Sequence, residues 1–170
     1  MKIKQLSVFL ENKAGRLSEV SDILGGAGIK MTAFSVADTS DFGILRAIVS
    51  QPEEALQLLK NAGYAVSLTD VICIKCPNTP GSLAKALHVL NAGNVQIEYM
   101  YAFSMGEIAQ VVIRPADIAN CERALETHGI ELVSSDKLYT LYHNYLTKHN
   151  AVLNKDGVFF IFFAGILFVA

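Results

Sequence analysis

At 170 residues the chain has room for one or two domains, and a composition of 52% hydrophobic and 18% charged residues excludes an intrinsically disordered protein. A formal net charge of −2, with no run of Lys and Arg, supplies no electrostatic footprint for nucleic acid. Three cysteines, Cys73, Cys76 and Cys121, are too few and odd in number for a disulfide scaffold and point to a reducing compartment. The N-terminus lacks the apolar run of a signal peptide, so the expected location is the cytoplasm.

Residues 3–10 alternate, with Ile3, Gln5, Ser7 and Phe9 against Lys4, Leu6, Val8 and Leu10. The second set is apolar from Leu6 on, as in a strand covered on one face. After a short loop, Leu17, Val20, Ile23, Leu24 and Ala27 recur at helical spacing, and Gly25, Gly26 and Gly28 supply a stop. Residues 29–37 and 42–49 are β-rich runs on either side of Asp38-Thr39-Ser40-Asp41, a turn composition that predicts a hairpin. Pro52-Glu53-Glu54 opens a second helix with the stripe Ala55, Leu56, Leu59 and Ala62, and Gly63 ends it. A short strand over 64–68 completes the order β-α-β-β-α-β.

The same order returns in residues 71–76, 81–92, 95–103, 107–114, 117–128 and 130–133. An offset of 66 residues aligns Asn12 with Asn78, Leu24 with Leu90, Ile29 with Val95, Leu59 with Leu125, Gly63 with Gly129 and Asp70 with Asp136. A unit of that size is near the lower limit for a core of its own, so the two copies, 1–70 and 71–135, are expected to pack together. The fold class is α+β: two ferredoxin-like βαββαβ plaits in tandem, paired edge to edge into one extended antiparallel sheet with helices on one face. The hairpin strands are apolar at successive positions, as in Ile44-Leu45 and Val111-Val112-Ile113. Both sheet faces should therefore be at least partly covered, through extensive contact between the repeats or between chains.

Ser134-Ser135-Asp136-Lys137 followed by Leu138, Leu141, Tyr142 and Tyr145 predicts a capped amphipathic helix over 136–148 that packs back on the tandem body. Residues 149–170 form an apolar tail; from Gly157 onward it carries no charge, and it holds five of the nine phenylalanines. As a helix its last 14 residues would reach about 21 Å, short of the roughly 30 Å hydrocarbon core. A membrane is therefore not the expected partner. A non-native extension, a segment buried in an oligomer and a membrane-seeking tail all remain open readings.

The motif Asn-x-x-Gly-x-Leu lies between the first strand and first helix of each copy, and Gly28-Ile29-Lys30-Met31 or Asn94-Val95-Gln96-Ile97 opens the second strand. A split plait with these features resembles the ACT domain, a family of small regulatory domains that bind amino acids. The resemblance spans residues 2–133, twice over. It implies that Asn12, Lys13, Ala14, Gly15, Arg16 and Leu17 face a ligand in the first unit, and Asn78, Thr79, Pro80, Gly81, Ser82 and Leu83 in the second. It further implies that the second-strand starts, with Lys30 and Met31 or Gln96 and Ile97, lie across an interface from a partner's loop. Many family members carry Asn where this chain has Lys30 and Gln96. The implied partners are a free amino acid and either further copies of the chain or a separate metabolic enzyme.

Elementary chemistry agrees with such a loop. A glycine just inside a helix start lets the backbone turn sharply and present free N–H groups at the positive end of the helix dipole, which suits a carboxylate. An Asn side chain accepts from an ammonium and donates to a carboxylate, so it serves a zwitterion. Asn12 and Asn78 can equally cap helices or turns. The first loop, with Lys13, Ala14 and Lys30, is the more basic; the second, with Thr79, Pro80 and Gln96, is neutral and stiffer.

Other candidates carry less. Cys73-Ile74-Lys75-Cys76 is a C-x-x-C, but on a strand residues three apart point to opposite faces, and no second pair completes a zinc site. His88, His128, His143 and His149 fall into no triad. Tyr99, Tyr101 and Phe103 share one strand face without interleaved basic residues, as expected of core or interface rather than base stacking. The expectation is a non-catalytic amino-acid-binding regulatory protein without metal or cofactor, its ligand at the interface between the repeats near the first strand-helix loops; the alternative is a ligand-free oligomerisation or regulatory-subunit module for a metabolic enzyme.

Overall fold

The computed structural model describes residues 1–38, 42–105, 107–138, 140, 160–163 and 166–169. The first repeat forms β1 (Ile3–Glu11), α1 (Arg16–Gly26), β2 (Met31–Asp38), β3 (Phe42–Val49) and α2 (Pro52–Asn61). Strand β4 (Val66–Pro77) follows, and the second repeat continues with α3 (Ser82–Ala92), β5 (Ile97–Met105), β6 (Ile108–Pro115), α4 (Ile118–Thr127) and β7 (Leu132–Val133). Each unit is the expected split plait. The two strands expected at 64–68 and 71–76 are, however, one continuous strand that serves both units. The polar pair Thr69-Asp70, which reads as a boundary, sits inside the ladder opposite Gln5 and Lys4. There the Asp70 carboxylate is held by Lys4 at 2.9 Å and Lys2 at 3.8 Å.

All pairings in this sheet are antiparallel. β1 pairs with β3 from Leu6↔Ala47 to Glu11↔Phe42, and with the first half of β4 from Ile3↔Val71 to Val8↔Val66. The second half of β4 pairs with β6 from Ile72↔Ile113 to Pro77↔Ile108, while β7 adds Cys73↔Val133. The resulting order is β2-β3-β1-β4-β6-β5, with β7 paired to β4 off this path.

Strand alternation sorts the side chains into three cores. Leu6, Val8 and Leu10 meet Val20 and Leu24 of α1 and Leu59 of α2. Ile72, Ile74 and Cys76 meet Ala86 and Leu90 of α3 and Leu125 of α4. The third core is built from the helix-free backs of both halves: Ile3, Ala33 and Ile48 from the first lie in one cluster with Val71, Cys73, Val112 and Val133, and Tyr101 and Phe103 pack against it. The sheet therefore curls, and each unit covers the other's bare face, which is why the hairpin strands are apolar at successive positions. Gln5 and Ser7, on the β1 face that alternation leaves to solvent, are buried beneath the second unit.

The two helices of the second unit meet at Gly93, the C-cap of α3, where an added Cβ would stand 2.8 Å from Ala124 Cβ. Asn120 Nδ2 donates to the Gly93 carbonyl across the same contact at 3.0 Å. After β7, residues 135–138 and 140 are helical and Leu138 is fully buried in the third core, so the described start of the C-terminal helix packs on the tandem body. The rest of that expected helix lies outside the described residues. In the apolar tail, β8 (Phe160–Phe163) and β9 (Ile166–Val169) form an antiparallel two-stranded sheet. Among the described residues no helix is long and apolar enough to cross a membrane.

Candidate ligand-binding site

Both loops between first strand and first helix are built alike. Gly15 (φ 90°) and Gly81 (φ 84°) occupy the helix N-cap positions in the left-handed region, where an L side chain would be strained. Neither helix has a side-chain cap, so Asn12 and Asn78 do not cap α1 and α3. The Glu19 N–H donates to the Gly15 carbonyl and the Lys85 N–H to the Gly81 carbonyl, which closes the first turn. The Arg16 and Ser82 N–H groups donate to the Lys13 and Thr79 carbonyls of their loops, and the next two of each helix lie beyond reach of an intrahelical acceptor, at the positive end of the dipole.

The side chains around the loops differ sharply. In the first unit Glu11 Oε2 accepts from Arg16 Nη2 at 2.6 Å and Nε at 3.1 Å, and lies 3.3 Å from Lys13 Nζ. Arg16 Nη1 donates to Glu19 Oε2 at 3.0 Å. The hydrogen bonds from Arg16 and then Lys13 hold the Glu11 carboxyl below its ordinary pKa, and Arg16 is held protonated more firmly still by Glu11 and Glu19. Glu19 is lowered first by the Tyr64 hydroxyl and then by Arg16. All these carboxylates are exposed, so the cluster orders the loop more than it stabilises the fold. In the second unit the loop is neutral: the Thr79 and Ser82 hydroxyls are 2.7 Å apart, and the Asn78 N–H donates to the Glu107 carbonyl at 2.7 Å.

Two open clefts flank the first loop. One, of about 340 Å³, is lined by Asn12, Lys13, Arg16 and Leu17 together with Leu10, Glu11, Val36 and Gly43. The other, of about 440 Å³, lies on the far side of Arg16 and is lined by Phe9, Leu10, Glu11, Phe42, Tyr64 and the α2–β4 turn at 62–65. The rings of Phe9 and Phe42 are 6.1 Å apart at 45°. Glu11, Phe9, Phe42 and Tyr64 were not among the residues singled out from the sequence. The available signal was Phe9, a large aromatic on the same strand face as Gln5 and Ser7.

The second-strand starts stand elsewhere. β2 ends level with the loop, since Asp38 pairs with Gly43 and Gly43 with Leu10, whereas Met31 pairs with Val49 at the other end. Eight residues of strand separate them by roughly 25 Å. Lys30 is fixed at that far end, with its N–H donating to Ser50 Oγ at 3.0 Å. Ile97 likewise pairs with Pro115, and the Gln96 carbonyl accepts from the Ala116 N–H. Asn12, Lys13, Arg16 and Leu17 thus share a cleft with Val36 near the end of their own unit's β2, and not with Lys30 or Met31; Ala14 and Gly15 do not line it.

Contact between the units runs instead through the sheet backs. Gln5 Nε2 donates to the Tyr99 hydroxyl at 2.8 Å and to Ser7 Oγ at 3.2 Å, while the Tyr101 hydroxyl donates to Gln5 Oε1 at 3.1 Å. The Arg46 guanidinium lies 4.1 Å from the centre of the Tyr99 ring. Burial raises the Tyr101 phenol above its usual pKa. The cysteines of the C-x-x-C part as strand geometry requires, Cys73 into the third core and Cys76 into the second. Burial pushes the Cys73 thiol up to about 12 and Cys121 to about 11, the opposite of thiolate activation. His88 lies on α3, and the His128 ring Nδ1 is 2.9 Å from the Ala124 carbonyl oxygen of its own helix; His143 and His149 lie outside the described residues. No group of three or more His, Cys, Asp or Glu residues that could hold a metal occurs among the described residues.

Two plaits fused through one strand, each with a glycine-capped loop open at a helix N-terminus, define a tandem regulatory ligand-binding module. Residues 1–142 match the family described as the ACT domain pair, and the chain belongs to that family. In structure it is similar to protein BT0572 from Bacteroides thetaiotaomicron, at 48% identity and a TM-score of 0.79 over 82% of this chain and 96% of that one. It also shares its fold with the ligand-free regulatory subunit of aspartate kinase from Thermus thermophilus, at 20% identity and a TM-score of 0.57 over 73% of this chain and 91% of that one. No curated protein matches the chain.

Proposed function

We propose that the chain is a non-catalytic regulatory protein that binds a free amino acid at the loops following its first strands. The observation that carries this reading is the duplicated loop: Asn12 to Leu17 and Asn78 to Leu83 share a left-handed glycine at the N-cap and, after a first helical N–H bonded within the loop, two more without an intrahelical acceptor. Those N–H groups suit a carboxylate, and the neighbouring Asn suits an ammonium. Because each second-strand start is remote from its own loop, Lys30 and Met31, or Gln96 and Ile97, complete a site only when a second copy supplies them. Likeness in fold to an aspartate kinase regulatory subunit favours a separate metabolic enzyme as the receiver of the signal. Ligand binding would then act by shifting populations of the loop and the interface, with a coupling that is reciprocal between ligand and partner.

A thermal-shift screen across the twenty amino acids tests this. A specific ligand at about 100 times its Kd adds about 2.7 kcal/mol, or about 5–10 °C for a chain of this size. Asn12→Ala should abolish most of that rise where the first loop holds the ligand, and Asn78→Ala where the second does. A folded protein that responds to none of the twenty would rule the reading out.

A further inference from the structure

The larger cleft beside Arg16 is lined by residues of the first unit. Its floor is Phe9 and Phe42, 49% and 44% exposed, an adjacent pair of large aromatics that line a cleft of about 440 Å³. That volume is within the range of small-molecule sites, and exposed apolar surface at a cleft marks binding more often than chance. At the equivalent positions of the second unit stand Lys75 and Ile108. There Lys75 Nζ is bonded at 2.6 Å to Glu131, which occupies the position of Ala65, so an ion pair stands where the first unit has its aromatic opening. Arg16 and Glu11 are likewise replaced by Ser82 and Pro77.

The charges at the rim select the head group. Glu11 and Arg16, the two charged residues of the lining, are paired and sum to zero, and Lys13 and Glu19 just outside it add one charge of each sign. Such a rim favours neither a net anion nor a net cation; it favours a molecule carrying both charges. Arg16 donates three hydrogen bonds to Glu11 and Glu19, and its guanidinium has five N–H groups in all, which leaves donors for an incoming carboxylate. Glu11 Oε1 is not engaged by Arg16 or Lys13, whose contacts all converge on Oε2, and it can accept from an ammonium. Tyr64 adds a third ring to the lining.

We propose that this cleft binds a free aromatic amino acid, one per chain, with the ring against Phe9 and Phe42 and the zwitterionic head at Glu11 and Arg16. The proposal rests on the reading of the chain as an amino-acid-binding protein, and names the ligand class and the unit that holds it. Calorimetric titration of the full chain with L-phenylalanine, L-leucine, 3-phenylpropanoate and phenethylamine tests it. The expected result is one L-phenylalanine per chain, with leucine and both singly charged analogues at least about tenfold weaker. Phe9→Ala, at an exposed side chain, should weaken L-phenylalanine about tenfold with an unchanged circular dichroism spectrum. Two L-phenylalanines per chain, leucine binding equally well, or indifference to Phe9→Ala would overturn the aromatic cleft and leave amino-acid binding standing. No heat with L-phenylalanine, together with no thermal shift from any of the twenty amino acids, would overturn both.

Discussion

Replacing Gln5 by alanine tests what holds the two halves face to face. The Gln5 side chain is 0% exposed and joins β1 to two tyrosines of β5. Its loss deprives the Tyr101 hydroxyl of its acceptor and the Tyr99 hydroxyl of its donor. Each neutral hydrogen bond contributes about 1 kcal/mol net, and a buried group left without a partner costs about 1–3 kcal/mol. The expected destabilisation is therefore about 3 kcal/mol, which at 2–4 °C per kcal/mol lowers the melting temperature by about 6–12 °C. Urea denaturation followed by circular dichroism measures the change at equilibrium. Tyr101→Phe alone should cost about 1–2 kcal/mol, because it leaves Gln5 Oε1 short of one donor. The double variant should be more stable than the sum of the singles predicts, since both remove the same bond. A loss under about 0.5 kcal/mol for Gln5→Ala, or strict additivity, would refute the claim that a desolvated polar network ties the units together.

Two further outcomes follow from packing and protonation. Gly93→Ala should lower the urea midpoint by the equivalent of about 1–3 kcal/mol, because the new methyl meets Ala124 Cβ at 2.8 Å while the backbone φ of −79° is ordinary; adding Ala124→Gly should recover most of it, and no recovery would refute the steric account. Stability should also fall with rising pH on the alkaline side. The Cys73 thiol ionises near 8.5 in the unfolded chain and only near about 12 in the fold, so its contribution is whole below about pH 8.5 and is lost as pH climbs toward 12, with the raised Tyr101 phenol acting in the same direction above about pH 10. Cys73→Val should flatten the part of that slope nearest pH 9–10 in urea midpoints measured between pH 8 and 11; an unchanged slope would contradict the assignment.

The element order and the tandem architecture were legible because they depend on local pattern. Helical spacing at Leu17 to Ala27, the Pro52 helix start and the duplicated loops each specify their element without help from distant residues. The burial of Leu138 followed in the same way from a capped apolar stripe. What lay hidden depends on partners far apart in sequence. Alternation in β1 shows which face is apolar, but not that Tyr99 and Tyr101 will cover Gln5 on the other. Thr69-Asp70 has the composition of a break, and only the opposing Lys4 makes it part of a ladder. Asn12 and Asn78 have the composition of caps, yet the glycines three residues on take the N-cap positions. Phe9 and Phe42 signal a cleft only when the β1–β3 register brings their rings side by side.

Strand β4 has a consequence for how any signal could travel. With one strand belonging to both halves there is no joint between them, so neither half can swing as a rigid lever against the other. A disturbance at the loop after β1 must travel as torsion: a change in the twist of the common sheet, which tightens or slackens the curl that presses Ile3 and Ile48 toward Val112. Parity sharpens the point, because Val66, Leu68, Ile72, Ile74 and Cys76 of β4 lie in the helix-covered cores, whereas Val71 and Cys73 lie in the core between the halves. A single residue inserted near Asp70 would turn the second unit inside out relative to the first.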